Sequence, residues 1–293
     1  MTGFLVTAPA GFNFRSTMIS HGWLMLAPFD YSDDYLRLQT IDRLDDGSLV
    51  QLNFAPAAGP AILVEVEGVK GRLRAASKRR LTELTRRIFN LDLDMTPVYR
   101  RLRTEARYRW AEQRGAGRLL RAATVWEDLV KTLMTTNTTW AGTRNMVKRI
   151  TELGPQDDAG RHAFPTPAEV AGHRQQALQE HIRAGYRTAY LLELAGRIAA
   201  GELDVERWDD PALESDDVYQ RLLELKGFGP YAASVMLKLM GKFDRLALDT
   251  AARSMYAQQF TEGGKPTDRQ IREHYQPYAP YQGLVLWLDL MVE

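Results

Sequence analysis

The sequence contains no cysteine. That excludes disulfides, thiolate zinc sites and iron–sulfur clusters, all of which need sulfur ligands, and it fits a reducing compartment. Nowhere do 18 uninterrupted apolar residues occur, so no membrane-spanning helix is expected. The N-terminal stretch MTGFLVTAPAGF has neither the positive region nor the apolar run of a signal peptide. A cytoplasmic protein without membrane contact is the expectation. Five histidines (His21, His162, His173, His181 and His274) show no metal-ligand spacing, so they read as surface or satisfied side chains and no metal is expected. No Walker lysine–serine pair accompanies the glycine-rich segments, and no Ser–His pattern points to nucleophilic hydrolysis.

The 293 residues are 45% apolar, enough for one large or two medium domains with buried cores. The net charge of +1 gives little overall bias toward a polyanion. The distribution is less even. Lys70 to Arg121 carries 16 Lys or Arg against 5 Asp or Glu, whereas Glu202 to Asp217 is acidic. Such asymmetry suggests a face for an anionic polymer, although a solvated helix surface has the same appearance.

Residues 1–90 read as α+β. The segments beginning at Phe12, Gly22, Tyr35, Leu49 and Ile62 are short, alternating and rich in β-branched or aromatic residues, with turn signals at Asp45-Asp46-Gly47 and Ala58-Gly59-Pro60. An antiparallel sheet is their simplest product. Ser77 to Asn90 reads as a helix with Leu81, Leu84, Ile88 and Phe89 on one face. Residues 91–293 then read as all-α. Thr96-Pro97 opens one helix, Trp126 to Glu152 forms a long periodic run, and Thr166 with Glu169 makes a capping box. Tyr186 to Ala200 and Val218 to Leu225 follow. The predicted architecture is a small N-terminal sheet domain followed by a larger helical domain.

Within Leu223-Glu-Leu-Lys-Gly-Phe-Gly-Pro-Tyr-Ala-Ala-Ser a helix ends at Leu225, Gly227 and Gly229 form a turn, and Pro230 opens the next helix. The free amides at that helix start, backed by its dipole, suit a phosphate. Gly-x-Gly taken alone marks an ordinary turn. Further on, Asp249 follows an apolar triplet and precedes a new helix, which is the placement of an N-cap.

Leu-Lys-Gly-Phe-Gly-Pro-Tyr-Ala-Ala, followed 18 residues after Tyr231 by Leu-Asp-Thr, resembles the helix-hairpin-helix DNA glycosylase superfamily. The resemblance runs over roughly 200 residues. It includes Leu91-Asp-Leu-Asp, Trp126-Glu-Asp-Leu-Val, Phe164-Pro-Thr-Pro-Ala-Glu-Val-Ala, Gly185-Tyr-Arg-Thr-Ala-Tyr and Pro277-Tyr-Ala-Pro-Tyr-Gln-Gly-Leu-Val-Leu-Trp, in the order found in alkylation-damage and 8-oxoguanine glycosylases. The sheet is similar, less specifically, to their TATA-binding-protein-like domain.

This resemblance implies a bacterial-like, nucleoid-associated monomer acting on double-stranded DNA that contains a damaged base. It implies no cofactor, although a monovalent cation at the hairpin is compatible with it. Lys226, Gly227, Phe228, Gly229 and Tyr231 would grip the backbone. Asp249 would be the catalytic carboxylate. Tyr231, Trp287 and Trp126 would line the base pocket, where an aromatic face favours an electron-poor alkylated base; Trp287 reads equally as a core tryptophan. Tyr186 would be the wedge, Arg187 would face the estranged base, and Asn137 would fill the vacated space. The lysine that gives some members lyase activity is Tyr231 here, and neither Lys226 nor Lys238 matches its position. Base excision without strand cleavage is therefore expected. Ala251 stands where 8-oxoguanine enzymes carry a histidine. Two alternatives are a damaged-DNA-binding protein without catalysis and a bifunctional glycosylase/lyase for oxidised bases.

Overall fold

The computed structural model describes residues 2–69 and 71–291. Lys70, where the basic stretch begins, and the last two residues of the expected helical domain lie outside them. Five strands form one antiparallel sheet: β1 (Thr2–Thr7), β2 (Asp30–Tyr31), β3 (Leu38–Arg43), β4 (Leu49–Pro56) and β5 (Ala61–Glu67), in the order β1-β5-β4-β3-β2. The β4–β5 register sets Leu52 opposite Val66 and Phe54 opposite Val64, so their side chains share one buried face. Across that face lies α2 (Ala75–Ile88), which buries Leu81, Leu84 and Ile88. The Phe89 ring meets Phe54 edge-on with centroids 5.4 Å apart.

Two expected strands are not strands. Residues from Phe12 enter α1 (Phe14–Met18), whose start is fixed by Asn13 accepting from the Ser16 amide at 2.9 Å. Gly22–Met25 is a 3₁₀ turn. Asn13 supplies a cap that alternation alone does not reveal. Conversely, β1 was not anticipated, although Phe4 and Val6 alternate inward along it.

The helical part comprises α3 (Thr96–Leu102), α4 (Arg109–Gln113), α5 (Val125–Thr135), α6 (Trp140–Thr151), α7 (Pro167–Ala171), α8 (Gln175–Ile182), α9 (Arg187–Ala199), α10 (Ser215–Leu223), α11 (Pro230–Leu239), α12 (Thr250–Phe260), α13 (Asp268–Tyr275) and α14 (Gln282–Met291). The capping box of Thr166 and Glu169 is formed at α7. The single helix expected over 126–152 is two, because the threonine-rich run 135–139 offers side-chain oxygens that compete with helical hydrogen bonds. Thr139 caps α6 by accepting from Gly142, and Asn137 takes a positive φ of 46°.

Helices α5, α6 and α8–α11 share one core, while α3, α4 and α12–α14 share another with Phe243. Trp23 and Leu26 from the N-terminal part enter the first of these, and Leu91 and Leu120 enter the sheet's core. Packing therefore interleaves across residue 90. Trp287 belongs to α14, yet it packs against the α5–α11 core, so the α11–α14 contact is the seam between the two helical layers. Among the described residues no helix is long and apolar enough to cross a membrane.

Part of the basic stretch is tied up within the chain, while Arg72, Arg74, Lys78, Arg79, Arg100, Arg109 and Arg114 are exposed and pair with no carboxylate among the described residues. Arg80 pairs with Asp42, Arg86 with Asp92, Arg103 with Glu112 and Arg107 with Asp289. Arg118 is buried on the Asn90 carbonyl. Arg87 and Arg121 converge on Asp128 and Asp209. Asp128, 1% exposed, also accepts from the Trp23 indole at 2.8 Å and the Ala122 amide at 3.0 Å. One carboxylate thus ties α2, α5 and the segment before α5 to Trp23. Removing one partner of a buried pair strands the other charges. Asp128→Ala should cost about 3–5 kcal/mol of stability, read by urea denaturation. A loss below about 1 kcal/mol would show that the cluster is not a structural tie.

Candidate active site

The bend between α10 and α11 is built on a close approach. Gly227 has φ of +89°, and a Cβ there would lie 2.5 Å from Leu133 on α5 and 3.0 Å from Tyr190 on α9. Phe228 is buried and plugs the turn, its amide donating to the Leu225 carbonyl. Gly229 is exposed, is the N-cap of α11, and has nothing within 4 Å of where a Cβ would sit. Pro230 follows at the first helical position. The amides of Gly229 and Tyr231 make no hydrogen bond within the described residues, so they and the helix dipole face open space. Anions bind helix starts of this kind. Lys226 is exposed and paired with Glu193 at 2.6 Å.

The bend forms one side of an open groove of about 610 Å³ whose other side is Thr136, Asn137, Tyr186 and Tyr190. Tyr186 stands 47% exposed, with its ring edge-on to Tyr190 and its hydroxyl accepting from Asn137 Nδ2 at 3.3 Å. The structure thus brings Asn137, Tyr186 and the hairpin together. Arg187 is a correction. It is 7% exposed, and its guanidinium donates to the carbonyls of Thr136, Asn137 and Ala184. A side chain so committed holds the Asn137 turn in place and does not present itself to an estranged base. Trp126 is a second correction. It is buried at the start of α5 with its indole donating to the Pro165 carbonyl at 2.9 Å, and its partners there are core residues.

Asp249 caps α12, accepting from the Ala252 amide at 2.8 Å, and is half-buried. The preceding Leu246, Ala247 and Leu248 are buried and anchor the strand-like approach to it. The Tyr231 phenol faces this carboxylate. Burial, and then the negative charge of Asp249, hold that phenol above its ordinary range. The first turn of α11 therefore carries both the free amides and a side chain whose phenol feels the carboxylate.

Two further residues gather at the α11–α14 seam. Lys238 is 6% exposed and sets its ammonium 3.6 Å above the centre of the Trp287 ring. Burial lowers its pKa to about 7, and the charge of Asp249 offsets this only in part. Trp287 is half-buried and donates to the Ser20 carbonyl at 2.9 Å. His21 lies edge-on to the same ring, with centroids 6.4 Å apart, and its Nε2 meets the Leu120 carbonyl at 2.6 Å. Burial brings its pKa down to about 3, so its ring is neutral. Sequence reasoning weighed Lys238 only against the lyase position and read His21 as satisfied, which it is; nothing in the spacing placed either beside Trp287. Among the described residues no group of three His, Cys, Asp or Glu side chains could hold a metal ion.

No protein-family model matches the chain. In sequence it is 28% identical, over 59% of its length, to a protein of Methanothermobacter thermautotrophicus named "Probable N-glycosylase/DNA lyase". It spans less than two thirds of the length of the curated relatives it matches. In structure it is similar to a 3-methyladenine DNA-glycosylase from Archaeoglobus fulgidus, with a TM-score of 0.75 over 99% of this chain and 97% of that one at 16% identity. It is also similar to an 8-oxoguanine glycosylase/lyase from Clostridium acetobutylicum, with a TM-score of 0.73 over 99% and 96% at 16% identity. The chain has the fold of the helix-hairpin-helix DNA glycosylases.

The two hairpin glycines should separate on substitution. Gly227→Ala meets both a positive φ and a Leu133 clash and should destabilise by about 1–3 kcal/mol. Gly229→Ala fits an extended backbone and open space and should stay within about 0.5 kcal/mol. Thermal denaturation of both proteins reads this, and equal losses would remove the close-approach argument.

Proposed function

We propose that this protein is a monofunctional DNA glycosylase that flips a damaged base out of duplex DNA and hydrolyses its N-glycosidic bond. The observation that carries this reading is the α11 start. Within three residues it offers free amides at Gly229 to the solvent and the Tyr231 side chain to Asp249. A strand held at the hairpin would thus be held beside the carboxylate.

Breaking the bond sends its electron pair to the departing base and leaves positive charge on the sugar. The Asp249 carboxylate would oppose that charge from the sugar's other side. Water then adds to the anomeric carbon, and Asp249 accepts the proton it releases. The Ala252 amide donates to this carboxylate at the positive end of the α12 dipole and so orients it for both tasks. Tyr186 and Asn137, across the groove from the hairpin, would occupy the space that the flipped nucleotide leaves. Tyr231 occupies the position where a Schiff-base lysine would stand, and a phenol forms no imine. That favours hydrolysis without strand cleavage over the bifunctional reading. The half-buried, oriented Asp249 favours an enzyme over a DNA-binding protein without catalysis.

Asp249→Asn keeps an N-cap acceptor and removes the charge. Base release from lesion-containing duplexes should fall by about 10³-fold or more while DNA affinity stays within a few-fold. A variant that still releases base at near the original rate would refute the assignment. Borohydride should trap no covalent protein–DNA adduct on any duplex that the protein processes, and a trapped adduct would make it a lyase.

A further inference from the structure

An ammonium and a cationic base compete for the same thing. Trp287 is the aromatic face from which stacking of an electron-poor alkylated base is expected, and Lys238 already stands on that face, 3.6 Å from the ring centre. A lysine buried to this degree ordinarily finds acceptors for its N–H donors. Lys131, the other buried lysine, has an ion-pair partner in Glu127 at 2.6 Å. Lys238 makes neither an ion pair nor a hydrogen bond within the described residues. Nor is its nitrogen among the sealed, unpartnered polar atoms, so it reaches accessible space. Its helix places it two turns beyond Tyr231, on the same side of α11. It is therefore an amine with unused donors within electrostatic reach of a candidate catalytic carboxylate, with an aromatic plane behind it.

We propose that Lys238 selects the substrate: it donates to a carbonyl oxygen or an unprotonated ring nitrogen on the flipped base, and its charge turns away bases that carry a fixed positive charge. This rests on the glycosylase reading above and names the class of base that the site takes, a neutral one bearing an acceptor. Sites that present a buried donor discriminate strongly against ligands that leave it unpaired. A cation brought against the ammonium on the same ring also meets direct repulsion. Lys238 here is a specificity residue and not a nucleophile.

The groups that face it fix how the selection depends on pH. Asp249 attracts the protonated form, and Tyr231 beside it remains a neutral phenol. His21, which feels the charges of both Lys238 and Lys131, stays neutral well into acid. Trp287 on α14 does not titrate. With its pKa lowered to about 7, Lys238 is the group that changes charge near neutrality. Below that value it carries its charge and rejects cationic bases, and above it the repulsion is lost. Any effect of the same charge on the sugar step acts on both kinds of substrate and cancels in their ratio.

The test measures single-turnover release from duplex DNA by the full chain. One set of duplexes contains a neutral base with an exocyclic oxygen (uracil, hypoxanthine or 8-oxoguanine). The other contains N3-methyladenine, which is cationic. The wild-type protein should favour at least one neutral base, and Lys238→Met should lower the neutral-to-cationic ratio by about tenfold or more. The wild-type ratio should fall as pH rises through about 7, and the Lys238→Met ratio should be flat. The wild-type pH profile is independent of whether the variant folds. An unchanged ratio in the variant, a flat wild-type profile, or borohydride trapping that depends on Lys238 would each overturn this proposal and leave base excision standing. Release of no base from any duplex would overturn the glycosylase reading and this proposal together.

Discussion

Gly227 leaves no room for a side chain, and much of the candidate site depends on that. Its backbone presses against Leu133 of α5 and Tyr190 of α9, so the bend is fixed relative to the two helices that bracket the Asn137 turn and Tyr186. With Phe228 driven into the core beside it, the bend has little freedom to pivot. The α11 start then has one direction in which to point its free amides. Ordinary core packing thereby sets the spacing between a strand-gripping element and the groups that would enter the duplex.

Charge is managed in the same economical way. Four arginines of a run that looks cationic in sequence, Arg80, Arg87, Arg107 and Arg121, are held by carboxylates from distant parts of the chain: Asp42 from the sheet, Asp128 from α5, Asp209 before α10 and Asp289 from α14. Long side chains with fixed charges make good cross-links between layers, because a guanidinium can satisfy several carboxylates or carbonyls at once. Arg187 does this on a smaller scale. Its donors satisfy three carbonyls of the turns that present Asn137 and Tyr186, so it shapes the groove from behind. Arg72, Arg74, Lys78, Arg79, Arg100, Arg109 and Arg114 remain exposed as a diffuse surface field, to which the hairpin adds oriented amides.

The local features were legible in the sequence to the extent that one residue type can satisfy one geometric need. Gly-x-Gly-Pro gave the bend, Thr166 with Glu169 gave a capping box, and Asp249 after an apolar triplet gave an N-cap; each is present where expected. Three strands, β3 to β5, were legible from alternation, and α2 from its apolar stripe. The failures are of two kinds. Asn13 and the threonine run at 135–139 redirected the backbone through side-chain oxygens, which periodicity does not weigh. Arg187, Trp126 and part of the basic stretch were misread because exposure is set by partners far away in the chain: Thr136, Pro165, Asp209 and others. The Lys238–Trp287 contact is of the same kind, since 49 residues separate the two and only the packing of α11 on α14 joins them.

That contact also bears on the charges that surround the candidate carboxylate. A cation near Asp249 offsets the charge that a sugar cation would need, and Arg253 of α12 and Lys238 both feel that carboxylate. The observed surroundings divide the task. The Ala252 amide and the α12 dipole, neutral groups with fixed orientation, stabilise the carboxylate without neutralising it. The Arg253 guanidinium is drawn off by Asp268 and the Leu248 carbonyl, whereas the Lys238 amine is held on an aromatic face at a seam where burial brings its pKa to about 7, so its charge is conditional. An oriented dipole under the carboxylate and a titrating amine over the tryptophan are a combination suited to keeping the electrostatics of bond cleavage separate from those of base selection.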